Sequence, residues 1–169
     1  MGTILRVLFL TLIAGCYPDL DWREVRSDEG GFTVLLPAKP RFETQSLPSQ
    51  GAQLQLRQWS SKARQTAFAI GYVDLPPEGS DALAVMREAL LRNISGKTIS
   101  DNPVTIDGLP GRDILAEGRV GDSAVVLRLR SITGKKRLYN LAVLGPPEDF
   151  QPSEIETFFM SLNVEKAKP

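Results

Sequence analysis

Thr66-Ala67-Phe68-Ala69-Ile70-Gly71-Tyr72-Val73 is the stretch on which the fold turns. Successive side chains of a strand point to opposite faces, so Phe68, Ile70 and Tyr72 share one face, and Ala67, Ala69, Gly71 and Val73 the other. Both sets are apolar, so water covers neither face. The segment predicts a central strand with large groups on one side and small ones on the other, and a layer packed closely on the small side.

Outward from this strand the chain reads as a succession of short elements. Toward the N-terminus, Gln53-Leu54-Gln55-Leu56-Arg57 alternates polar and apolar like a half-buried strand. Arg41–Leu47 reads as another, set off by the turn Pro48-Ser49-Gln50-Gly51. Phe32–Leu36 is a third, stopped by Pro37 and Pro40. Residues 17–30, polar and acidic with one tryptophan (Trp22), read as a tether ending at a Gly30-Gly31 turn. Toward the C-terminus, Pro76-Pro77-Glu78-Gly79 breaks the chain, and Ser80 is placed to cap a helix over Asp81–Ile94. Leu83, Met86, Leu90 and Ile94 recur there at helical spacing, Arg87, Glu88 and Arg92 lie outside, and Gly96 ends the helix.

Val104–Ile106 and Arg112–Glu117 flank an Asp107–Gly111 turn. After a second turn at Gly118–Asp122, Ser123–Ile132 and Arg137–Leu144 form a hairpin around Gly134-Lys135-Lys136. Pro146-Pro147 closes the sheet. Ile155, Phe158, Phe159 and Leu162 stripe a final helix over Ser153–Leu162. Its Ser153 and Glu156 fit a capping box, with the cap free to shift by one residue. Antiparallel strands, a helix, hairpin-linked strands and a closing helix predict an α+β sandwich in one domain.

Composition limits the chemistry. The 169 residues are 42% hydrophobic, 24% charged and 7% aromatic, with 20 basic and 20 acidic side chains, values typical of a globular protein. The balanced charge argues against general nucleic-acid binding. The absence of histidine removes Ser-His-Asp and Cys-His arrangements, imidazole metal sites and imidazole pH switches. A single cysteine allows neither an internal disulfide nor a Cys-rich metal cluster. No cofactor is expected.

That cysteine ends a leader. Arg6 precedes an apolar run from Val7, which passes through Ile13-Ala14-Gly15 to Cys16 and is far shorter than the roughly 20 residues of a membrane span. Ile13-Ala14-Gly15-Cys16 resembles the lipobox of bacterial lipoproteins. The resemblance implies cleavage before Cys16, diacylglycerylation of its thiol and acylation, such as palmitoylation, of the new amine. The alternative is an ordinary buried thiol in a signal peptide cut elsewhere. Myristoylation at Gly2 is disfavoured because Arg6 stands where that motif takes Ser or Thr. Two or more acyl chains hold a protein stably on a membrane. In enteric lipoproteins an aspartate after the cysteine marks inner-membrane retention, so Tyr17 favours the outer membrane. The expected division is a signal peptide over 1–15, a tether over 16–30, a folded domain over 31–164 and a tail over 165–169.

Phe32-Thr33-Val34-Leu35-Leu36-Pro37, Ile106-Asp107-Gly108-Leu109-Pro110-Gly111-Arg112-Asp113 and Phe158-Phe159-Met160-Ser161-Leu162 resemble corresponding features of the PsbP/Mog1-like fold, including small bacterial lipoproteins of the DcrB type. The resemblance implies an α/β/α sandwich and a binding or assembly role rather than catalysis.

The residues offer few sites. Gly96-Lys97-Thr98 lacks the upstream glycine of a phosphate loop and follows a helix instead of preceding one. Arg57, Arg128 and Arg130 form a candidate basic sheet face for a small anionic ligand or lipid headgroup. Arg112, Arg119 and Lys135-Lys136-Arg137 add charge; the plain alternative is a solvated face paired with acids. Asp74, Asp107, Asp113 and Glu117 are the acids a carboxylate-based hydrolase would draw on, the least favoured reading. Trp22 and Trp59 are either core or partner anchors. The expectation is a non-enzymatic envelope lipoprotein that binds or helps assemble an envelope component, with a membrane through Cys16 and an envelope protein as partners. The alternative is a small-ligand binder on the basic face.

Overall fold

Phe68, Ile70 and Tyr72 do share a covered face in the computed structural model, which describes residues 20–49, 52–75 and 82–165. The strands are β1 (Arg23–Ser27), β2 (Phe32–Leu36), β3 (Arg41–Ser49), β4 (Ala52–Ala63), β5 (Thr66–Asp74), β6 (Lys97–Ile106), β7 (Leu109–Val120), β8 (Ser123–Thr133), β9 (Arg137–Gly145) and β10 (Asn163–Val164). Helix α1 spans Ala82–Asn93 and α2 spans Pro152–Met160, with a 3-10 turn at Pro147–Asp149. Strands β3 to β9 build a seven-stranded antiparallel sheet in the order β3-β4-β5-β9-β8-β7-β6, so β5 is interior as expected. A smaller sheet, β1-β2-β10, and α2 cover the large-residue face; α1 crosses the other. The chain is a single α+β domain.

The large-residue face holds the main core. Phe32 is its hub, meeting Trp59, Tyr72 and Tyr139 edge-on at 5.5, 6.2 and 6.2 Å. Such pairs contribute about 0.5–1.5 kcal/mol each beyond area burial. The Ile155, Phe158, Phe159 and Leu162 stripe docks α2 here, with Phe158 edge-on to Phe68 at 5.6 Å. All five core aromatics expected from the sequence (Phe68, Tyr72, Tyr139, Phe158 and Phe159) are buried. Trp22 and Trp59 are partly buried against the same cluster.

Four readings change. Residues 23–27, assigned to the tether, form β1 and pair antiparallel with β2 from Arg23↔Leu36 to Ser27↔Phe32. Their one apolar side chain, Val25, is buried, too little for a strand pattern to show. The hairpin after α1 is longer than expected: β6 starts at Lys97, and Gly118 lies inside β7. Helix α2 begins at Pro152 after an N-cap at Gln151, without a side-chain cap. Proline is preset for the first helical position, and Glu156 is engaged by Arg128 at 2.6 Å, so the capping box does not form. The layer on the small side of β5 packs closely over Gly71 and Val73 but not over Ala69. Ser80, Asp81 and the Pro76–Gly79 break lie outside the described residues.

Candidate functional site

Arg57, Arg128 and Arg130 lie on one face of the large sheet but in two clusters. Arg57 stands on β4 opposite Tyr72; Arg128 and Arg130 stand on β8, beyond β5 and β9. Asp113, opposite Arg130 on β7, accepts from Arg128 Nε and Nη2 at 3.0 Å and from Arg130 Nη2 at 2.6 Å. Both guanidinium groups sit over the Phe159 ring, 5.2 and 4.6 Å from its centre, and Arg128 also reaches Glu156 of α2. Burial acts to raise the Asp113 carboxyl pKa, but the hydrogen bonds from the two arginines outweigh it and hold that pKa below the usual carboxylate range. Arg57 contacts Asp74 at 3.2 Å and Glu29 at 3.3 Å, and Arg137 contacts Asp74 at 2.8 Å. A ligand on this face would have to displace a carboxylate from each arginine it used.

Of the supplementary basic residues, Arg112 binds Asp101 at 2.8 Å, and Arg119 donates to the Asp122 carbonyl. The acids stand apart. Asp74 ends β5, Asp107 occupies an exposed turn with φ +52°, and Glu117 is exposed on β7. Asp113 and Glu117 share a strand face four residues apart, about 13 Å between Cα atoms. Glycosidic pairs work at roughly 5–9.5 Å between carboxyl groups, and the Asp113 carboxylate is turned to Arg128 and Arg130.

A second feature lies on the opposite face. Between α1 and the sheet is a cleft of about 340 Å³. Ala69 and Gly71 of β5 and Ala142 of β9 give it a flat floor, while Leu47, Leu56 and Met86 wall it. Those small side chains do not reach the helix. Helix α1 fully buries only Ala82 and Met86, leaving Leu83 and Leu90 half-covered, so the space over Ala69 and Ala142 stays open, whereas Leu56 covers Gly71 and Val73 packs with Ala82 and Met86. The close packing expected on this face is met at Gly71 and Val73 and fails over Ala69 for this reason. Polar contacts hold the helix at its middle and just past its C-terminal end: Arg87 contacts Asp101 of β6 at 3.3 Å, and the Arg119 amide of β7 donates to the Ile94 carbonyl at 2.6 Å.

Asn140 of β9 joins the floor. It is 4% exposed, its Oδ1 accepts from the Ser131 hydroxyl at 2.5 Å, and its Nδ2 has no hydrogen-bond partner among the described residues. Gln45, Gln58 and Asn93 add amides and Arg92 a charge, with no carboxylate among the described lining residues. The sequence reading missed Asn140. Its signal was present: an amide inside the apolar run Leu138–Leu144, on the same face as the small residues. It also missed Arg64, at φ +52° in the β4–β5 turn, which binds Asp149 at 2.6 Å and also Glu154, across more than 80 residues.

Cys16 lies outside the described residues. Among the described residues no helix is long and apolar enough to cross a membrane. No family model and no curated protein matches the chain. Among solved structures it is similar to a cyanobacterial PsbP (CyanoP) from Synechocystis sp. PCC 6803, at 13% identity and a TM-score of 0.59 over 92% of this chain and 98% of that one. It also aligns with PA94, a protein of unknown function from Pseudomonas aeruginosa (16% identity, TM-score 0.48, 87% and 99% covered). A third alignment is to the immunity protein TplEi of T6SS from Pseudomonas aeruginosa, complexed with "L" peptide (13% identity, TM-score 0.45, 85% and 58% covered). At such identity the CyanoP likeness is one of fold, and that fold is the PsbP/Mog1-like α+β architecture.

Proposed function

We propose that the chain is a non-enzymatic binding or assembly-assisting module of the bacterial envelope, held on a membrane through acylated Cys16. The observation that carries the binding reading is the cleft under α1. It has the volume of a small-ligand site, yet its described lining offers amides, apolar groups, one serine hydroxyl (Ser46) and one arginine, with no carboxylate. Such a lining retains a ligand and lacks the acid and base that turnover needs. The engagement of Asp113 by two arginines supports the same reading, since a carboxylate held ionised makes a poor general acid.

The anchor reading rests on Ile13-Ala14-Gly15-Cys16. The described body begins at Leu20, four residues beyond Cys16, so acylation would keep Leu20 within about 14 Å of the headgroups. Tyr17 favours the outer membrane over the inner. Cys16→Ala is expected to move the protein from the membrane to the soluble fraction; a variant that stays membrane-bound overturns the anchor. Native mass spectrometry of protein extracted from its own membranes tests the rest. A companion protein or a small adduct is expected on the acylated chain, and a bare chain under conditions that preserve known complexes counts against a binding module.

A further inference from the structure

We infer that β3, an outer strand of the large sheet, is the surface through which two copies of this chain pair, antiparallel about a two-fold axis at Thr44. The inference goes beyond the binding-module reading and needs neither the cleft nor the membrane anchor. An edge strand turns half of its backbone N–H and C=O groups away from its one neighbour, and proteins blunt such edges with prolines, bulges or charges. The two edges of this sheet, β3 and β6, differ in that respect. Strand β6 is interrupted by a bulge between Thr98 and Ser100 and carries Pro103. Strand β3 pairs with β4 from Arg41 to Ser49 without a register shift, and it holds no proline from Arg41 to Leu47. Residues Arg41 to Ser46 are all exposed. Phe42 is 54% exposed even though its ring centre lies 4.7 Å from that of Trp59.

The order of residues along β3 selects a second copy as the partner. The run Arg41-Phe42-Glu43-Thr44-Gln45-Ser46-Leu47 lies between Pro40 and Pro48, each four residues from Thr44. A two-fold axis at Thr44 therefore pairs all seven residues and leaves the prolines, which have no N–H to donate, opposite each other at the ends. In that register Glu43 faces the partner's Gln45, and Thr44 faces the partner's Thr44. Phe42 faces the partner's small Ser46 and has the partner's Thr44 on the diagonal. Thr–Thr and aromatic–β-branched pairs are favourable across strands, and no like charges are opposed. The neighbouring registers are worse. An axis at Glu43 sets two carboxylates face to face, and an axis at Phe42 or Gln45 brings a proline inside the pairing.

Disulfide trapping reads this register. Each variant is made in the full chain carrying Cys16→Ala, so the added thiol is the only one and the result does not depend on the anchor. Oxidised glutathione accepts the two electrons of each link. Opposed residues of an antiparallel pair stand about 4.5 or 5.5 Å apart between Cα atoms, inside the roughly 4.4–6.8 Å that a disulfide spans. Thr44→Cys is expected to link to its own copy. Glu43→Cys and Gln45→Cys stand roughly 8 Å from their own copies and are expected to link only when the two are mixed. Adding Thr44→Glu to both chains of that mixture sets two carboxylates together on the axis, each beside Arg57 of its own chain. It is expected to lower the mixed yield at least tenfold without lowering the thermal midpoint. No link at Thr44 leaves the edge to an extended segment of another protein and overturns the proposal. Equal yields at all three positions, mixed or unmixed, overturn it too, as does a mixed yield undiminished by Thr44→Glu.

Discussion

Asp113 shows how a single residue links sheet, helix and pH response. It stands between Arg128 and Arg130, with side-chain exposures of only 14, 24 and 9%, so removing its charge strands the Arg130 guanidinium in a buried place and leaves Arg128 with Glu156 alone. Asp113→Asn is expected to cost about 2–3 kcal/mol at neutral pH in urea titrations. The acid response follows from the direction of its pKa. A carboxyl held below its unfolded value of about 3.9 contributes stability above that value and loses it as the pH falls through the folded pKa. Asp149, lowered chiefly by its hydrogen bond from Arg64, acts in the same sense. Wild-type stability should therefore hold from neutral pH down to about 5 and fall below about 4, and Asp113→Asn should flatten part of that acid limb. A variant with an unchanged acid limb would mean that Asp113 is not a source of it. The sequence showed that Arg128 and Arg130 share a strand face, because period two is local. Their pairing with Asp113 depends on the β7–β8 register, which no local pattern encodes.

At the scale of elements, legibility followed the amount of apolar patterning. The α2 stripe of Ile155, Phe158, Phe159 and Leu162 announced both the helix and its docked face, and β5 announced its central position. Strand β1 was silent because it buries one apolar side chain and gains its place by pairing with β2. The cleft was misread because small residues on a strand signal close approach only if the facing element has side chains to fill the space, and that depends on where α1 is fastened. One fastening is at Gly118 of β7. A Cβ there would collide with the Ile94 carbonyl oxygen and approach Gly96 Cα, backbone atoms that cannot swing aside. Gly118→Ala should push the end of α1 off the sheet, weaken the Arg119–Ile94 hydrogen bond and cost about 1–3 kcal/mol in urea denaturation. An unchanged midpoint would show that the helix end moves freely and is not fixed by this contact.

For the whole molecule, the two faces of the large sheet should differ in how firmly they are held. One carries the aromatic hub, the small sheet and α2, with Phe32, Phe68, Ile70, Tyr72, Leu141 and Phe158 almost wholly buried. The other carries α1 over an open cleft, fastened at Arg87 and past its C-terminal end and fully burying two of its twelve residues. Local opening free energies rise with buried apolar contact, so the protein should open at α1 before it opens at the centre of the sheet. Native-state hydrogen exchange makes the prediction specific. Amides of β5, β9 and β8 should exchange only through global unfolding, with a strong urea dependence. Amides of α1 from Met86 to Leu91 should exchange at least tenfold faster, with a weaker one. Equal protection of α1 and β9 would mean that the helix is an integral part of the core and the cleft a fixed void. If α1 is the looser element and the cleft holds a ligand, that ligand binds neither the helix-opened nor the unfolded chain, so at saturation it should slow exchange in α1 and, by the same factor, in β5 and β9.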